Sequence, residues 1–252
     1  MRALSCVIEG EWRTDCPSRF VPDGREGARP SRFAPDARQR TSRRTVAQGQ
    51  TIIWYNLRVM TMEERVAARA DIEATGDLLE RALKLAGLLA TLFQECGYPL
   101  VVVGGSAVEF YTEGGYMSGD IDFCRKTLKP IPPRLMQEIA ESLGGRGMGR
   151  SWIICGLYVD LLGVLENESF VPERTLRTPF GEVRIIPPEL ALVERILYAE
   201  QDVECKPSAR QMMCAALNDA SFDWAEAERL ADLRDFKVLP QLRALKGEIP
   251  RA

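Results

Sequence analysis

The sequence contains no histidine among its 252 residues. Histidine is the usual general base near neutral pH, the partner of catalytic serine and cysteine nucleophiles, and a common zinc ligand. Its absence therefore excludes the Ser–His and Cys–His nucleophile systems and the zinc sites that depend on imidazole. Any chemistry assigned to this chain has to work without a histidine side chain.

Paired cysteines and long apolar runs are missing as well. The seven cysteines are scattered and never spaced as Cys-x-x-Cys, so neither a disulfide framework nor a structural zinc site is expected, and the cytoplasm is the predicted location. The richest apolar run, from Ala82 to Phe93, is short and is interrupted by Lys84. We therefore expect no membrane-spanning segment and no membrane partner.

Residues 1–60 lack lysine but hold eleven arginines, together with many proline, glycine and serine residues. Such a segment has too little apolar surface to offset the entropy of ordering, which predicts a disordered leader. Two alternatives stay open. The segment is a basic arm for nucleic acid, or it is upstream sequence, translated from a start chosen too early and not part of the native fold.

The remaining chain has the patterning of an α+β protein. A helical stripe of apolar residues runs from Leu79 to Phe93 at spacings of four and three, and short apolar runs bounded by glycine and proline follow it. We predict a small mixed β-sheet with flanking helices over residues 61–187 and a helical C-terminal region over residues 188–252. The glycine-rich stretch 144–149 is predicted to be a flexible loop.

A glycine turn follows the first predicted strand, Leu100 to Val103. Gly104, Gly105 and Ser106 then lead directly into a predicted helix. Free backbone amides at a helix N-terminus attract anions, and a glycine without Cβ lets a phosphate approach closely. Taken alone, the same turn is also typical of tight packing between a strand and a helix.

Two aspartates, Asp120 and Asp122, lie in a second predicted strand that runs from about Met117 to Phe123. Alternate residues of a strand point to the same face, so both carboxylates project together. Like charges on a largely apolar strand repel each other and lose hydration unless a cation neutralises them. The pair therefore predicts a cation site.

A third acid, Asp160, interrupts an otherwise apolar strand predicted from Leu157 to Leu162. An acid in such a strand is rarely buried without a partner. It is either a third ligand for the cation site or an acid at an exposed strand end.

These three features together resemble the nucleotidyltransferase superfamily, which has the polymerase-beta-like fold. The matching pattern is Gly105-Ser106, a spacer over residues 107–119, the Asp120–Asp122 pair between apolar residues, and the later strand acid Asp160. Within that superfamily, Gly-Gly-Ser-Ala followed by Ser-x-Asp-x-Asp is most similar to compact bacterial proteins of the toxin–antitoxin and abortive-infection type. The resemblance spans about residues 78–200.

The resemblance implies transfer of a nucleoside monophosphate from an NTP to a hydroxyl of RNA, a protein or a small molecule. It implies two Mg²⁺ ions held by three catalytic acids, and a nucleotide held by five further residues. The acids are Asp120, Asp122 and Asp160, and the nucleotide-binding residues are Gly104, Gly105, Ser106, Ser118 and Arg195. A cognate antitoxin protein is an implied partner.

The chain departs from the family pattern at Tyr116, where those relatives often carry an arginine that recognises the substrate phosphates. This departure favours a rival interpretation, in which a non-catalytic relative of the same fold binds a nucleotide or a partner protein.

Overall fold

The computed structural model describes residues 59–166 and 169–249, so nearly all of the predicted leader lies outside the described residues. In these ranges the chain forms eight α-helices and seven β-strands. The helices are α1 (Met62–Ala74), α2 (Leu78–Glu95), α3 (Gly104–Tyr111), α4 (Pro133–Ser142), α5 (Pro188–Gln201), α6 (Lys206–Asn218), α7 (Trp224–Asp232) and α8 (Leu239–Glu248). The strands are β1 (Leu100–Val102), β2 (Asp120–Arg125), β3 (Arg146–Met148), β4 (Ser151–Ile154), β5 (Leu157–Val164), β6 (Arg174–Thr178) and β7 (Gly181–Ile185).

The strands form one mixed sheet in the order β3-β4-β5-β2-β1-β7-β6. The pairs β2/β5 and β1/β7 are parallel, and the other neighbours are antiparallel. The predicted fold class is therefore confirmed: a mixed sheet with flanking helices, followed by helices α5 to α8. Because β2 and β5 are adjacent, two strands that are far apart in sequence bring their acids to one place.

Burial alternates along β2, and this alternation separates the core from the site. Ile121 and Phe123 are almost completely buried, whereas Asp120 and Asp122 are only partly so. The core combines these residues with the apolar stripe of α2, which packs against β1, β6 and β7. On the C-terminal side, α5 packs against α3, α6 and α7.

Two predictions of local structure were wrong. The second strand begins at Asp120 rather than Met117, because Gly119 has φ +83° and turns the chain immediately before the strand. The predicted loop 144–149 contains β3, which pairs with β4 across a hairpin at Gly149. All three residues of β3 are exposed, so no apolar alternation marked the strand in the sequence.

Helix α7 ends at Asp232, and α8 then forms as a separate helix from Leu239. No helix within the described ranges combines the length and apolarity needed to cross a bilayer.

Candidate active site

Asp122 and Asp160 are direct neighbours across two parallel strands. In the register of β2 and β5, Asp122 pairs with Asp160, and Asp120 pairs with Tyr158. Paired residues project from the same face of a sheet, so the three predicted acids share one face. The structure thus places the three aspartates predicted from the sequence next to one another on this face.

The surroundings of Asp122 disfavour its negative charge. The pKa of this carboxyl is raised from its ordinary 3.8 to about 6, first by burial and then by the charges of Asp120 and Asp160. Arg195 and a hydrogen bond from the Gly105 backbone amide act in the opposite direction. Since two carboxylates repel the third, the cluster has the electrostatics of a site that gains stability from a cation.

The glycine turn is packed against these acids through Ser106. The buried Ser106 hydroxyl donates to the Val103 carbonyl at 2.9 Å and accepts the backbone N–H of Asp122 at 3.0 Å. Gly104, with φ +64°, lies so close that a Cβ atom on it would stand 2.5 Å from Oδ2 of Asp122. Glycine at 104 therefore permits the close approach of the turn to the acid.

Ser118 holds the other aspartate in a similar way. Its hydroxyl donates to Oδ1 of Asp120, and it also packs against Gly105, where an added Cβ would lie 2.5 Å from the Ser118 oxygen. Both serines that the resemblance assigned to the nucleotide thus have their hydroxyl groups hydrogen-bonded within the protein. Their role in nucleotide binding stays a prediction.

Helix α3 presents its N-terminus to the site. No acidic side chain lies in its first turn, and its N-cap residue, Val103, makes no side-chain hydrogen bond to it. The positive end of the helix attracts anions, and the Asp122 carboxylate accepts a hydrogen bond from the Gly105 amide there.

Arg195 on α5 lies near this cluster. It is about nine-tenths buried, and its Nε has no hydrogen-bond partner within the described part of the chain. Its guanidinium carbon lies 4.8 Å from the ring centroid of Tyr198, and its charge lowers the pKa of Asp122 and opposes the burial that raises the pKa of Tyr116. A buried cation beside the acids suits the recognition of a phosphate.

Glu109 is a site residue that the sequence reasoning missed. It is 97% buried on α3, and its Oε2 accepts the backbone N–H of Ser118 at 2.8 Å. Burial raises the pKa of the Glu109 carboxyl, and the nearby charge of Asp120 adds to that effect. The signal was available, since Glu109 interrupts the apolar run from Ala107 to Phe110 just as Asp160 interrupts its strand.

The face that carries the acids continues across β4 and β3. The register aligns Asp120 with Tyr158, Ile153 and Arg146 in one row, and Asp122 with Asp160, Ser151 and Met148 in a second row. Beyond the acids this face is open, with Tyr158 60% exposed and Met148 86% exposed.

The chemistry of the acids fits a hard divalent cation, because Mg²⁺ prefers carboxylate oxygens. As the side chains stand, however, no group of three or more His, Cys, Asp or Glu residues in ranges 59–166 and 169–249 is arranged to hold a metal ion. Asp120 is engaged by Ser118, and Asp122 by Gly105. Binding would require the carboxylate oxygens that are not engaged in these hydrogen bonds to converge on a shared ion.

Solved structures that resemble this chain include a nucleotidyltransferase-like protein. An antigenic nucleotidyltransferase-like protein from Paracoccidioides brasiliensis is 15% identical, with a TM-score of 0.44, over 71% of this chain and 96% of its own. No protein-family model matches the chain, and no curated protein matches it in sequence.

Two structures of ANT(2'')-Ia are also similar. Its complex with adenylyl-2''-tobramycin is 20% identical over 62% of this chain and 97% of its own, with a TM-score of 0.40. The solution structure of this antibiotic-resistance factor is 20% identical over 67% of this chain and 94% of its own, with a TM-score of 0.39.

Proposed function

We propose that this protein is a Mg²⁺-dependent nucleotidyltransferase, which moves a nucleoside monophosphate from an NTP to a hydroxyl group. The observation that carries the proposal is the register pairing of Asp122 with Asp160, beside Asp120, on one face of the sheet. Three acids held together in a partly buried place are costly without a cation. A cation there would bring an NTP's phosphates to the N-terminus of α3.

Each residue of the site has a part in this proposal. Asp120, Asp122 and Asp160 would hold two Mg²⁺ ions, which when bound neutralise negative charge on the phosphates. The amides of Gly104 and Gly105, with Ser106 and Ser118, would line the phosphate side, and Arg195 would supply a positive charge there.

The transfer itself needs one base and one leaving group. The acceptor hydroxyl oxygen attacks the α-phosphorus, the bond from that phosphorus to the pyrophosphate oxygen breaks, and pyrophosphate leaves with the electron pair. Asp160 takes the proton of the acceptor hydroxyl. Asp160 suits this role because it lies at the side of the cluster that borders the open face of β4 and β3.

The acceptor would approach over that open face. RNA, a protein side chain and a small molecule are the three acceptor classes that the proposal includes, and Tyr158 lies next to the acids, where each would pass. A cognate antitoxin partner stays a prediction from the sequence resemblance.

Labelling tests this function. The protein is incubated with Mg²⁺, each α-labelled NTP in turn, and total cellular RNA or protein. We expect a labelled product that requires both Mg²⁺ and Asp122, so that Asp122→Ala abolishes it. Labelling that persists in Asp122→Ala would remove the acids from the reaction.

The alternative function is nucleotide or partner binding without turnover. It is favoured by Tyr116, which stands where the resembled family often has an arginine, and by the absence of a preformed metal cage in the described ranges. Calorimetry distinguishes the two functions, because the alternative predicts Mg²⁺-dependent NTP binding with no labelling of any acceptor pool.

A further inference from the structure

The carboxylate of Glu109 is buried behind the proposed metal site, and Glu109 is not one of the predicted metal ligands. Glu109 is 97% buried, and no salt bridge reaches it from the described part of the chain. Burying a carboxylate without an opposite charge is costly. A carboxylate at this position therefore indicates a role that a neutral apolar side chain could not fill.

The contacts of Glu109 lead to Asp120 in two steps. Its Oε2 accepts the backbone N–H of Ser118 at 2.8 Å, and the Ser118 hydroxyl donates to Oδ1 of Asp120. Ser118 is also packed against Gly105, where an added Cβ would lie 2.5 Å from the Ser118 hydroxyl oxygen. The orientation of Asp120 thus depends on where Glu109 holds Ser118.

The chain enters the strand of Asp120 through a glycine. Gly119, directly before the strand, has φ +83°, and a Cβ added to it would meet no atom within 4 Å. This residue therefore adopts a left-handed conformation that favours glycine, and it brings no side chain that could hold Asp120 in place. The hydrogen bond to Glu109 anchors the backbone one residue earlier.

We propose that Glu109 is a positioning residue, which fixes Ser118 and through it orients the Asp120 carboxylate toward the bound cation. The proposal rests on the proposed function, since the orientation of Asp120 matters when it holds a cation. Groups that orient metal ligands in this way typically change metal affinity or activity by about 10- to 100-fold when they are removed.

Two substitutions separate positioning from packing. Glu109→Gln keeps an oxygen that accepts the Ser118 N–H, whereas Glu109→Leu fills a similar volume without an acceptor. Mn²⁺ serves as the probe, and its binding in the presence of a non-hydrolysable NTP analogue is titrated by electron paramagnetic resonance. We expect Glu109→Leu to weaken Mn²⁺ binding by about 10-fold or more, and Glu109→Gln to stay within about 2-fold of the wild type.

Hydrogen exchange provides a readout that does not depend on the metal. The Ser118 amide should lose protection in Glu109→Leu and keep it in Glu109→Gln, because the amide of glutamine preserves the acceptor. Ser118→Ala is the second variant. It removes the hydroxyl that contacts Asp120 but leaves the Ser118 N–H bonded to Glu109, and it should weaken Mn²⁺ binding in the same way even if Glu109→Leu fails to fold.

A matched control removes a buried carboxylate elsewhere. Glu189 on α5 is fully buried, and its Oε1 accepts the Asp223 N–H at 2.8 Å. Glu189→Leu should lower the melting temperature and leave Mn²⁺ affinity unchanged. If the wild type binds no Mn²⁺, the proposed function and the positioning role both fall. If it binds Mn²⁺ and both Glu109→Leu and Ser118→Ala bind it equally well, the positioning role alone is overturned.

Discussion

The hydroxyl of Ser106 accepts the backbone N–H of Asp122 at 3.0 Å, across sixteen residues of sequence. The same hydroxyl donates to the Val103 carbonyl at 2.9 Å, so one oxygen connects the end of β1, the first turn of α3 and the acidic strand. Ser106 is almost completely buried, so water cannot readily replace it as a partner. One buried hydroxyl therefore connects the glycine turn to the strand that carries Asp122.

Ser106→Ala should leave the buried Asp122 N–H without this acceptor, whereas the Val103 carbonyl still accepts the Ala107 N–H at 3.2 Å. Unsatisfied buried groups cost about 1–3 kcal/mol, so we expect the free energy of unfolding to fall by that amount and NTP labelling to fall with it. Ser208→Ala is the control, because the buried Ser208 hydroxyl also donates to the carbonyl three residues earlier, at 2.8 Å, but lies in α6. It should lose stability and retain labelling. Equal labelling losses in both variants would show that Ser106 acts through stability alone.

The acids were predictable from sequence because each interrupts an apolar strand. Asp120, Asp122 and Asp160 stand out against their immediate neighbours, and a period of two places the first two on one face. The partners of the two serine hydroxyls were not predictable, since Ser106 and Asp122 meet only when β1 and β2 pair. Glu109 lies in a helix that begins at the glycines, and its contact with Ser118 depends on how the chain returns from α3 to β2.

Gly104→Ala should reduce stability and NTP labelling by more than the strain of a left-handed alanine alone would cause. Gly104 has φ +64°, and a Cβ there would lie 2.5 Å from Oδ2 of Asp122. Gly97→Ala is the control, because Gly97 has φ +82° and no atom within 4 Å of an added Cβ. The left-handed conformation costs an alanine about 1–2 kcal/mol in both variants. We expect Gly104→Ala to lose more stability than Gly97→Ala and to lose NTP labelling, whereas labelling by Gly97→Ala persists.

Asp122→Asn should stabilise the protein near neutral pH while abolishing activity. Because the pKa of Asp122 is raised from 3.8 to about 6 in the folded state, the folded protein binds this proton more tightly than the unfolded chain does. The charged carboxylate therefore destabilises the fold progressively as the pH rises from about 4 to 6, and fully above that range. After allowance for solvent screening, we expect Asp122→Asn to raise the unfolding free energy by about 1–2 kcal/mol at pH 7.5, with the difference shrinking toward pH 4.

Urea denaturation with and without Mg²⁺ checks this expectation. Ligands that bind the folded state stabilise it, so Mg²⁺ should stabilise the wild type and have little effect on Asp122→Asn. Asp235→Asn changes an exposed aspartate after α7 and should respond to Mg²⁺ as the wild type does. A variant at 122 that is less stable than the wild type at pH 7.5 would contradict the assigned repulsion.

Arg195→Met should impair nucleotide binding while preserving much of the packing of the side-chain stem. The guanidinium is buried and its Nε has no partner within the described residues, so a phosphate would gain a charge-assisted hydrogen bond there. We expect the KM for NTP to rise by about 10-fold or more, as loss of such a bond costs roughly 1.5–3 kcal/mol. Arg210→Met on the next helix is the control, since Arg210 is exposed and paired with Glu248 at 3.0 Å. An unchanged KM in Arg195→Met would remove this residue from the nucleotide site.

Tyr158→Ala should affect the acceptor rather than the nucleotide. Tyr158 pairs in register with Asp120 and is 60% exposed on the open face that borders Asp160. An aromatic ring in that position offers a flat surface to a base or an apolar group, and such contacts contribute about 1–3 kcal/mol for a stacked base. We expect the KM for the labelled acceptor to rise by about 5-fold or more while the KM for NTP stays constant.

The effect of Tyr158→Phe on the KM for the acceptor depends on how the labelled acceptor contacts the tyrosine. If the ring stacks on the acceptor, phenylalanine should restore the wild-type KM, whereas a requirement for the hydroxyl would leave it raised. Leu128→Ala removes an even more exposed apolar side chain, 85% exposed, from the loop after β2 and should change neither constant. Equal rises in both KM values for Tyr158→Ala would mean that the ring supports the acids rather than the acceptor, and the open face would then have no part in acceptor binding.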